Sequence, residues 1–592
     1  MAIDFVPHHK KQQRHVPGYG QQKKLTNRPQ PMSPKKRTFG VDNNRNKAAT
    51  TTPDLLHRVL TKMAFGPSDE LVNHVNQLPG ANTQAKIMAY INEQLNPDLI
   101  NDSACNQMLT SANGFTTLNK SRQQLFQEHA RRPDGVDIPW PKFVRPIQEV
   151  IYAAFIRGIH SKRQLLEMMA DFWHNHFNIY SDAYGVQPMF VHYDRDVIRA
   201  NALGNFRQML YQVTRSTCML IYLNNGSNEQ SAPNENYARE VMELHTLGAE
   251  NYLGHMNWQD VPSDSQGRRV GYVEEDVMEM ARALTGWSFS GADWWDYQNG
   301  NIATGLFQYR DGWHDKGAKR VLGEYFDYSA AQPQSDLNQI LDLLAEHPGT
   351  NRFLAEKLCR RFIADEPPTD VVDAVATTLH NHWQSPDQIK LAMQTLLTSD
   401  AFLNTWGDKV KRPFERTISA MRQLQYSFPF NPEEEISGWH FWVFLDTGHL
   451  PFSWAAPNGY PDVKSHWLGA SSMMATWTFT QWIAHFHEDN DGEKPILNSV
   501  VADTFVGLPN ANEHSAYKLV DFWYQKIIGA PPNTETRDHL AQFMASTDRD
   551  DPIGGDANAP IDLNTNVWPS YNQDRLYAMV SCIFFTPEFM DR

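Results

Sequence analysis

The chain has 592 residues, of which 41% are hydrophobic and 20% are charged, so it is long and apolar enough to bury a large core. The four cysteines lie far apart and share no metal-binding spacing with histidines, so neither a disulfide framework nor a cysteine zinc site is predicted. No run of eighteen apolar residues occurs, so we expect no membrane span.

Charge is unevenly distributed along the chain. The net charge is −15, yet residues 1–50 carry eleven Lys and Arg against two Asp, which leaves a strongly acidic body. Because residues 1–50 are poor in aliphatic side chains, we predict a disordered basic tail that is suited to contact an acidic surface. The acidic body disfavours nucleic-acid binding. The first residues also lack an apolar segment, so no classical signal peptide is predicted.

From residue 51 onward, apolar residues recur at helical spacing in many segments, such as "WPKFVRPIQEVIYAAFIRGI", "SKRQLLEMMADFWHNHF" and "GTNRFLAEKLCRRFIA". We therefore predict a mainly α protein, with a large multi-helix body and a small β-hairpin insertion. The hairpin is predicted from residues 305–328, with its turn near Gly312 to Gly317. The expected organisation is an N-terminal helical lobe, residues 51–330, with a C-terminal helical lobe, residues 331–592, packed on it.

The first polar motif in chain order is "DFWHNHFNIY", in which His174 and His176 are candidate metal ligands. Residues two apart point about 200° from each other in a continuous helix, so both histidines reach one metal only if the helix breaks between them. The alternative for His176 is a core histidine that donates to a backbone carbonyl.

The second motif is "NENYAREVMELHTLG", residues 234–248, which places Glu240 and Glu243 on the same face as apolar side chains. A carboxylate there must be paired or bind a metal, so both are catalytic candidates. The structural alternative is a pair of ion pairs from Arg239 to Glu235 and Glu243, four residues away on each side. His245 is a candidate metal ligand, provided that the helix ends before it. The candidate binding residues of this region are Asn225, Asn234, Asn236 and Arg239.

The third motif is "YRDGWHDKGAK", which puts the catalytic candidates His314 and Asp315 at the predicted hairpin tip. Turn chemistry alone also produces such a sequence. Arg282 is a candidate binding residue and a possible buried partner for Glu240. The basic segments "EKLCRRF" and "DKVKRPFE" are expected to pair with carboxylates of the acidic body.

Two functions fit these motifs. The first is a metal-dependent enzyme, a hydrolase or an oxidoreductase, in which His174 or His176, Glu240 and His314 or Asp315 hold a divalent metal ion. The second is a non-catalytic scaffold or assembly partner, in which the same polar residues form paired networks that fix helix packing. A helix start at Val273 lacks a side-chain cap, so we expect it to be weakened unless another group compensates.

Several phrases in one order resemble a bacterial family known as domain of unknown function 1800. They include "LLHRVLTKMAFGPS", "FWHNHF", "APNENYAREVMELHTLG", "HDKGAKRVLG" and "HPGTNRFLAEKLCRRFIADEPP". The resemblance implies a largely helical protein that is often exported and often encoded beside a sulfatase-like protein, a candidate partner. It implies no particular reaction.

Overall fold

The computed structural model describes residues 51–131, 137–292, 303–426, 435–485, 499–546, 555–564 and 571–592. The predicted basic tail, residues 1–50, lies outside the described residues. Residues from 51 onward form one compact unit. The predicted division near residue 330 stays a prediction.

The described residues before 300 are mostly helical, as the apolar spacing predicts. Two long helices, Trp140–His160 and Gln164–His176, correspond to the predicted segments and are buried around most of their circumference. The remaining α-helices of this part are Leu55–Met63, Asp69–Gln77, Thr83–Gln94, Ser103–Met108, Arg122–Leu125, Phe190–His192, Phe206–Thr214, Thr217–Tyr222, Glu235–Glu240 and Glu274–Ala283. Three π-helical segments occur at Phe126–Ala130, Tyr193–Ile198 and Val241–His245.

The described residues after 330 are also mainly helical, so the predicted fold class is confirmed. Their α-helices are Ser335–Glu346, Pro348–Phe362, Thr369–Asn381, Gln388–Leu397, Asp400–Asn404, Pro413–Gln423, Glu435–Asp446, Lys464–Trp467, Ala470–His485, Val500–Gly507, Ala516–Ile528, Thr534–Ala545, Asn572–Ile583 and Pro587–Met590. Helix Pro348–Phe362 begins at a proline, whose fixed φ suits the first helical turn.

In the described ranges, two small antiparallel sheets interrupt the helices, and they correct the predicted hairpin. Strand Phe307–Tyr309 pairs with Trp287–Phe289, whereas Lys319–Val321 pairs with Glu324–Phe326. The predicted pairing of residues on either side of Gly312 to Gly317 is therefore wrong. That segment links two separate sheets, and His314 within it is fully buried rather than exposed at a tip.

The helix Glu274–Ala283 begins at Val273, where a side-chain cap is missing. Asp276 compensates from within the first turn, since its carboxylate accepts from the Val273 N–H at 2.9 Å and from the Leu322 N–H at 2.9 Å. The carboxylate thereby ties the helix start to the second sheet.

A single large cluster of buried apolar residues runs from Leu56 to Phe589 and holds these helices together. Within the described ranges, no helix is long and apolar enough to cross a membrane.

Candidate functional site

The segment Glu235–His245, here called the polar helix, changes its hydrogen-bond pattern in the middle. It is α-helical to Glu240 and π-helical from Val241 to His245. The Thr246 hydroxyl donates to the Val241 carbonyl at 2.7 Å and closes its C-terminal end. A π-helical turn inside a helix often marks a functional site. Here it carries His245 into the interior, where the side chain is fully buried.

Glu240 and Glu243 lie half-buried on the polar helix. Neither carboxylate has an ion pair or a hydrogen bond with another described residue. Burial and the nearby charge of Glu243 raise the pKa of Glu240 to about 7. The predicted ion pair from Arg239 to Glu243 is wrong, because Arg239 instead contacts Glu274 at 2.7 Å, besides the expected Glu235 at 3.6 Å.

The candidate asparagines mostly satisfy backbone groups. Asn225 is buried and donates to the carbonyls of Leu284 and Trp287, at 3.2 and 2.9 Å. Asn234 caps the polar helix by accepting from the Asn236 N–H at 3.0 Å. Asn236 is exposed and donates to the Leu223 carbonyl at 3.2 Å. Their role in ligand binding stays a prediction.

His174 belongs to a buried ion-pair cluster. Its Nε2 lies 3.0 Å from Asp194 Oδ1, and Asp194 also contacts Arg199 at 3.1 Å and Arg157 at 3.4 Å. Arg199 in turn donates to Glu167 at 2.9 Å. The surrounding arginines hold the pKa of Asp194 well below its usual range, against the effect of burial. The contacts of His174 thus fix helix packing.

His314 forms a second buried cluster with Asp336 and Lys319, and all three side chains are fully buried. Its Nε2 lies 2.8 Å from Asp336 Oδ2, and its Nδ1 lies 2.7 Å from the Thr285 carbonyl oxygen. The Lys319 amine also lies 3.2 Å from Nε2. Both ring nitrogens of His314 therefore already have protein partners.

Asp315 and Arg282 pair with each other, at 2.8 Å between Asp315 Oδ2 and Arg282 Nε. Arg282 also contacts Glu279 at 2.7 Å. Arg282 therefore does not serve as the anticipated ion-pair partner of Glu240.

His176 and His245 do come together, with ring centroids 6.3 Å apart. His176 Nε2 donates to the His245 backbone carbonyl at 3.2 Å, as expected for a core histidine. The Nδ1 of His176 and both ring nitrogens of His245 are buried without a hydrogen-bond partner among the described residues. Buried polar atoms without partners are unusual and call for an explanation.

A cavity of about 280 Å³ lies beside His176. We call it the lysine cavity, because Lys357 of helix Pro348–Phe362 lines it. Another wall is the segment 458–463, which contains Tyr460. That wall is held by the Asn175 amide, which donates to the Tyr460 carbonyl at 2.9 Å and accepts from the Tyr460 N–H at 2.6 Å. Motifs far apart in sequence thus surround one cavity.

Lys357 is half-buried and has no ion pair with any described residue. Its Nζ lies 5.1 Å from the Phe353 ring centroid. Burial, together with the charge of Arg360, lowers the pKa of the Lys357 amine to about 8. In addition to burial, the charge of Lys357 helps to lower the pKa values of His176 and His245, so both imidazoles are neutral.

The arginines that also line the cavity are neutralised, as the sequence predicts. Arg361 contacts Glu415 at 2.6 Å, Arg412 contacts the same carboxylate at 2.6 Å, and both also contact Asp171. Arg360 contacts Glu356 at 2.6 Å. The sequence analysis expected all of this basic segment to pair with carboxylates, and it did not identify Lys357 as a candidate site residue. Lys357 lies one helical turn before Arg361, which places both on the same side of the helix.

The predicted metal ligands do not share one location. His174 contacts Asp194, His314 contacts Asp336, and Glu240 stands on the polar helix with Glu243. In the part of the chain that the structure describes, no group of three or more His, Cys, Asp or Glu side chains is arranged to hold a metal ion.

A family model described as "Protein of unknown function (DUF1800)" matches residues 58–591, nearly the whole chain. Comparison with curated proteins and with solved structures gave no match.

Proposed function

The chain belongs to the DUF1800 family, and we propose that it is a hydrolase in which the amine of Lys357 accepts a proton from the attacking water. The observation that carries the proposal is a half-buried lysine without an ion pair among the described residues, at a cavity lined by the first polar motif and by both basic segments. A cavity with a few converging polar groups and an altered pKa is the best starting place for an active site.

The chemistry follows from the protonation of the amine. With a pKa of about 8, about one tenth of the Lys357 amine is unprotonated at pH 7, far more than for an ordinary lysine. An unprotonated amine is a general base of suitable strength near neutral pH. The neutral imidazole of His176 lines the same cavity, and its Nδ1 carries a lone pair without a donor among the described residues.

The charge around the cavity bears on the predicted divalent metal ion. His176 and His245 both lie within the field of the Lys357 ammonium, which repels a cation. The unpaired carboxylates of Glu240 and Glu243 are electrostatically better placed to attract one. We therefore assign the role of hydrolytic base to Lys357. If the reaction requires a divalent metal ion, we assign its binding to Glu240 and Glu243.

The experiment is a panel of p-nitrophenyl esters, phosphates and glycosides assayed with wild type, Lys357→Met and Lys518→Met. Methionine keeps the unbranched shape of the side chain up to Cε and removes the amine. Lys518 is an exposed lysine paired with Glu513 at 3.2 Å, so its variant controls for loss of one charge. We expect hydrolysis of at least one substrate class, lost in Lys357→Met and kept in Lys518→Met. No turnover by wild type, or equal turnover by Lys357→Met, contradicts the proposal.

A scaffold or assembly function is the second candidate, and the ion-pair clusters favour it. Glu415 forms ion pairs with Arg361, Arg412 and Arg592, which lie far apart in the sequence. Networks of this kind fix how helices pack and need no substrate. On this account the basic tail binds a partner such as the sulfatase-like neighbour of the family. Co-sedimentation of the two proteins, lost on deletion of residues 1–50, tests it.

A further inference from the structure

A second cavity, of about 310 Å³, lies away from the lysine cavity and shares no lining residue with it. It is bordered by helices Asp69–Gln77, Thr83–Gln94 and Pro413–Gln423 and by the end of helix Trp140–His160. We call it the arginine cavity, after Arg422. Its apolar walls include Leu71, Ile100, Ile159 and Met421.

Arg422 is 7% exposed, and carbonyl oxygens are its only hydrogen-bond acceptors among the described residues. Its Nη1 donates to the Ile159 carbonyl at 2.6 Å, and its Nε donates to the Gly66 carbonyl at 3.3 Å. Its Nη2 has no acceptor in the described part of the chain. These contacts orient the guanidinium but supply no formal negative charge.

The other charged groups of the cavity are already paired at its rim. Glu70 contacts Lys162 at 2.9 Å, and Glu93 lies 2.8 Å from His74 Nε2. The Glu70 and Lys162 side chains are 75% and 56% exposed, so their charges are largely screened. Arg422 is thus left as a buried cation without a counter-ion at the cavity. Burial lowers its pKa to about 10, which leaves it charged at neutral pH.

His160 adds a second unsatisfied group. It lines the cavity, and its Nε2 is buried without a hydrogen-bond partner among the described residues. Burial and the charge of Arg422 lower the pKa of His160 to about 4, so the ring is neutral at pH 7. A neutral ring does not add to the positive charge, and it offers one donor or acceptor to a bound molecule.

We propose that the arginine cavity binds a small carboxylate with an apolar body, whose carboxylate contacts Arg422. A buried cation without a counter-ion is costly, and a bound carboxylate supplies the formal negative charge that the carbonyls do not. The apolar walls accommodate the remainder of the molecule. The cavity volume is at the lower end of the range for ligand sites, which selects a small molecule.

The test measures binding of hexanoate and benzoate to the full chain by isothermal titration calorimetry. Hexanol has the body without the charge, and inorganic phosphate has the charge without the body. We expect saturable binding of at least one carboxylate, with hexanol and phosphate bound at least about tenfold more weakly. Absence of saturable carboxylate binding, or equal binding of phosphate, overturns the proposal.

Two variants locate the binding. Arg422→Gln removes the charge and should weaken carboxylate binding at least about tenfold. Because Arg422 also ties helices together, a second variant, His160→Trp, fills the cavity instead. His160 Nε2 makes no hydrogen bond to a described residue, so the substitution breaks none at that atom. Arg207→Gln, which breaks a pair with Asp342 elsewhere, is the control and should bind as wild type does. Undiminished binding by folded His160→Trp contradicts the assignment.

Discussion

The Nε2 of His176 donates to the backbone carbonyl of His245 at 3.2 Å. This bond joins the C-terminal end of helix Gln164–His176 to the C-terminal end of the polar helix. Because the carbonyl accepts, the proton of the neutral ring resides on Nε2, and Nδ1 carries the lone pair. The two histidines of separate motifs thus meet beside Lys357.

The first prediction concerns the protonation of His176. Burial and the charge of Lys357 hold its pKa well below the ordinary value, so the ring stays neutral from pH 8 to pH 5.5. We expect its ¹⁵N ring signals, assigned with His176→Phe, to remain constant over this range. The linked stability is present above the unfolded pKa of about 6.5 and is lost as the pH falls below it. A titration midpoint above pH 6 would contradict the structure.

The second prediction concerns Glu240, whose folded pKa of about 7 lies above the unfolded value of about 4.3. The folded state therefore binds more protons between these pH values, and its stability falls as the pH rises from about 4.3 to 7. At pH 8, Glu240→Gln should raise the free energy of unfolding by about 1 kcal/mol, a value discounted for solvent access. At pH 4 it should have little effect.

Urea denaturation at pH 4 and pH 8 measures this difference. Glu235→Gln, on the same helix but paired with Arg239, is the matched control and should not stabilise at pH 8. Equal effects of Glu240→Gln at the two pH values would show that folding does not raise the pKa of Glu240 and would contradict the prediction.

The third prediction concerns Glu415, a buried carboxylate that three arginines contact. Glu415→Gln leaves their charges without this counter-ion and should lower the free energy of unfolding by about 3–5 kcal/mol. Asp373→Asn breaks an exposed pair with Arg352 and should cost less than about 1 kcal/mol. Similar losses in the two variants would refute the importance of the buried network.

The sequence predicted the helices well because their apolar spacing is a local property, as in Trp140–His160. It mispredicted the hairpin, since strand Phe307–Tyr309 pairs with Trp287–Phe289, about twenty residues earlier, and that choice depends on the packed sheet. It identified His176 and His245 as site candidates but could not distinguish Lys357 from Arg361. The distinction depends on residues distant in sequence. Glu415 and Asp171 pair with Arg361, whereas neither of them pairs with Lys357.

The fourth prediction separates structure from catalysis at His314. Asp336→Asn removes the negative charge of the carboxylate that both His314 and Lys319 contact. It should lower the free energy of unfolding by about 3 kcal/mol. Activity per folded molecule should be unchanged, because the cluster is fully buried. The control is Asp311→Asn, because Asp311 is a half-exposed carboxylate that pairs with Lys316. A stable Asp336→Asn protein without activity would restore His314 as a catalytic candidate.

The most direct test of the account is the reactivity of the Lys357 amine, because it needs no substrate. Acetic anhydride labelling from pH 6.5 to pH 10.5, quantified for each lysine by mass spectrometry, reports the fraction of unprotonated amine. We predict half-maximal reactivity of Lys357 near pH 8, well below that of the exposed Lys518. A midpoint near pH 10.4 for Lys357 would mean that its amine is an ordinary ammonium and would contradict its role as a base.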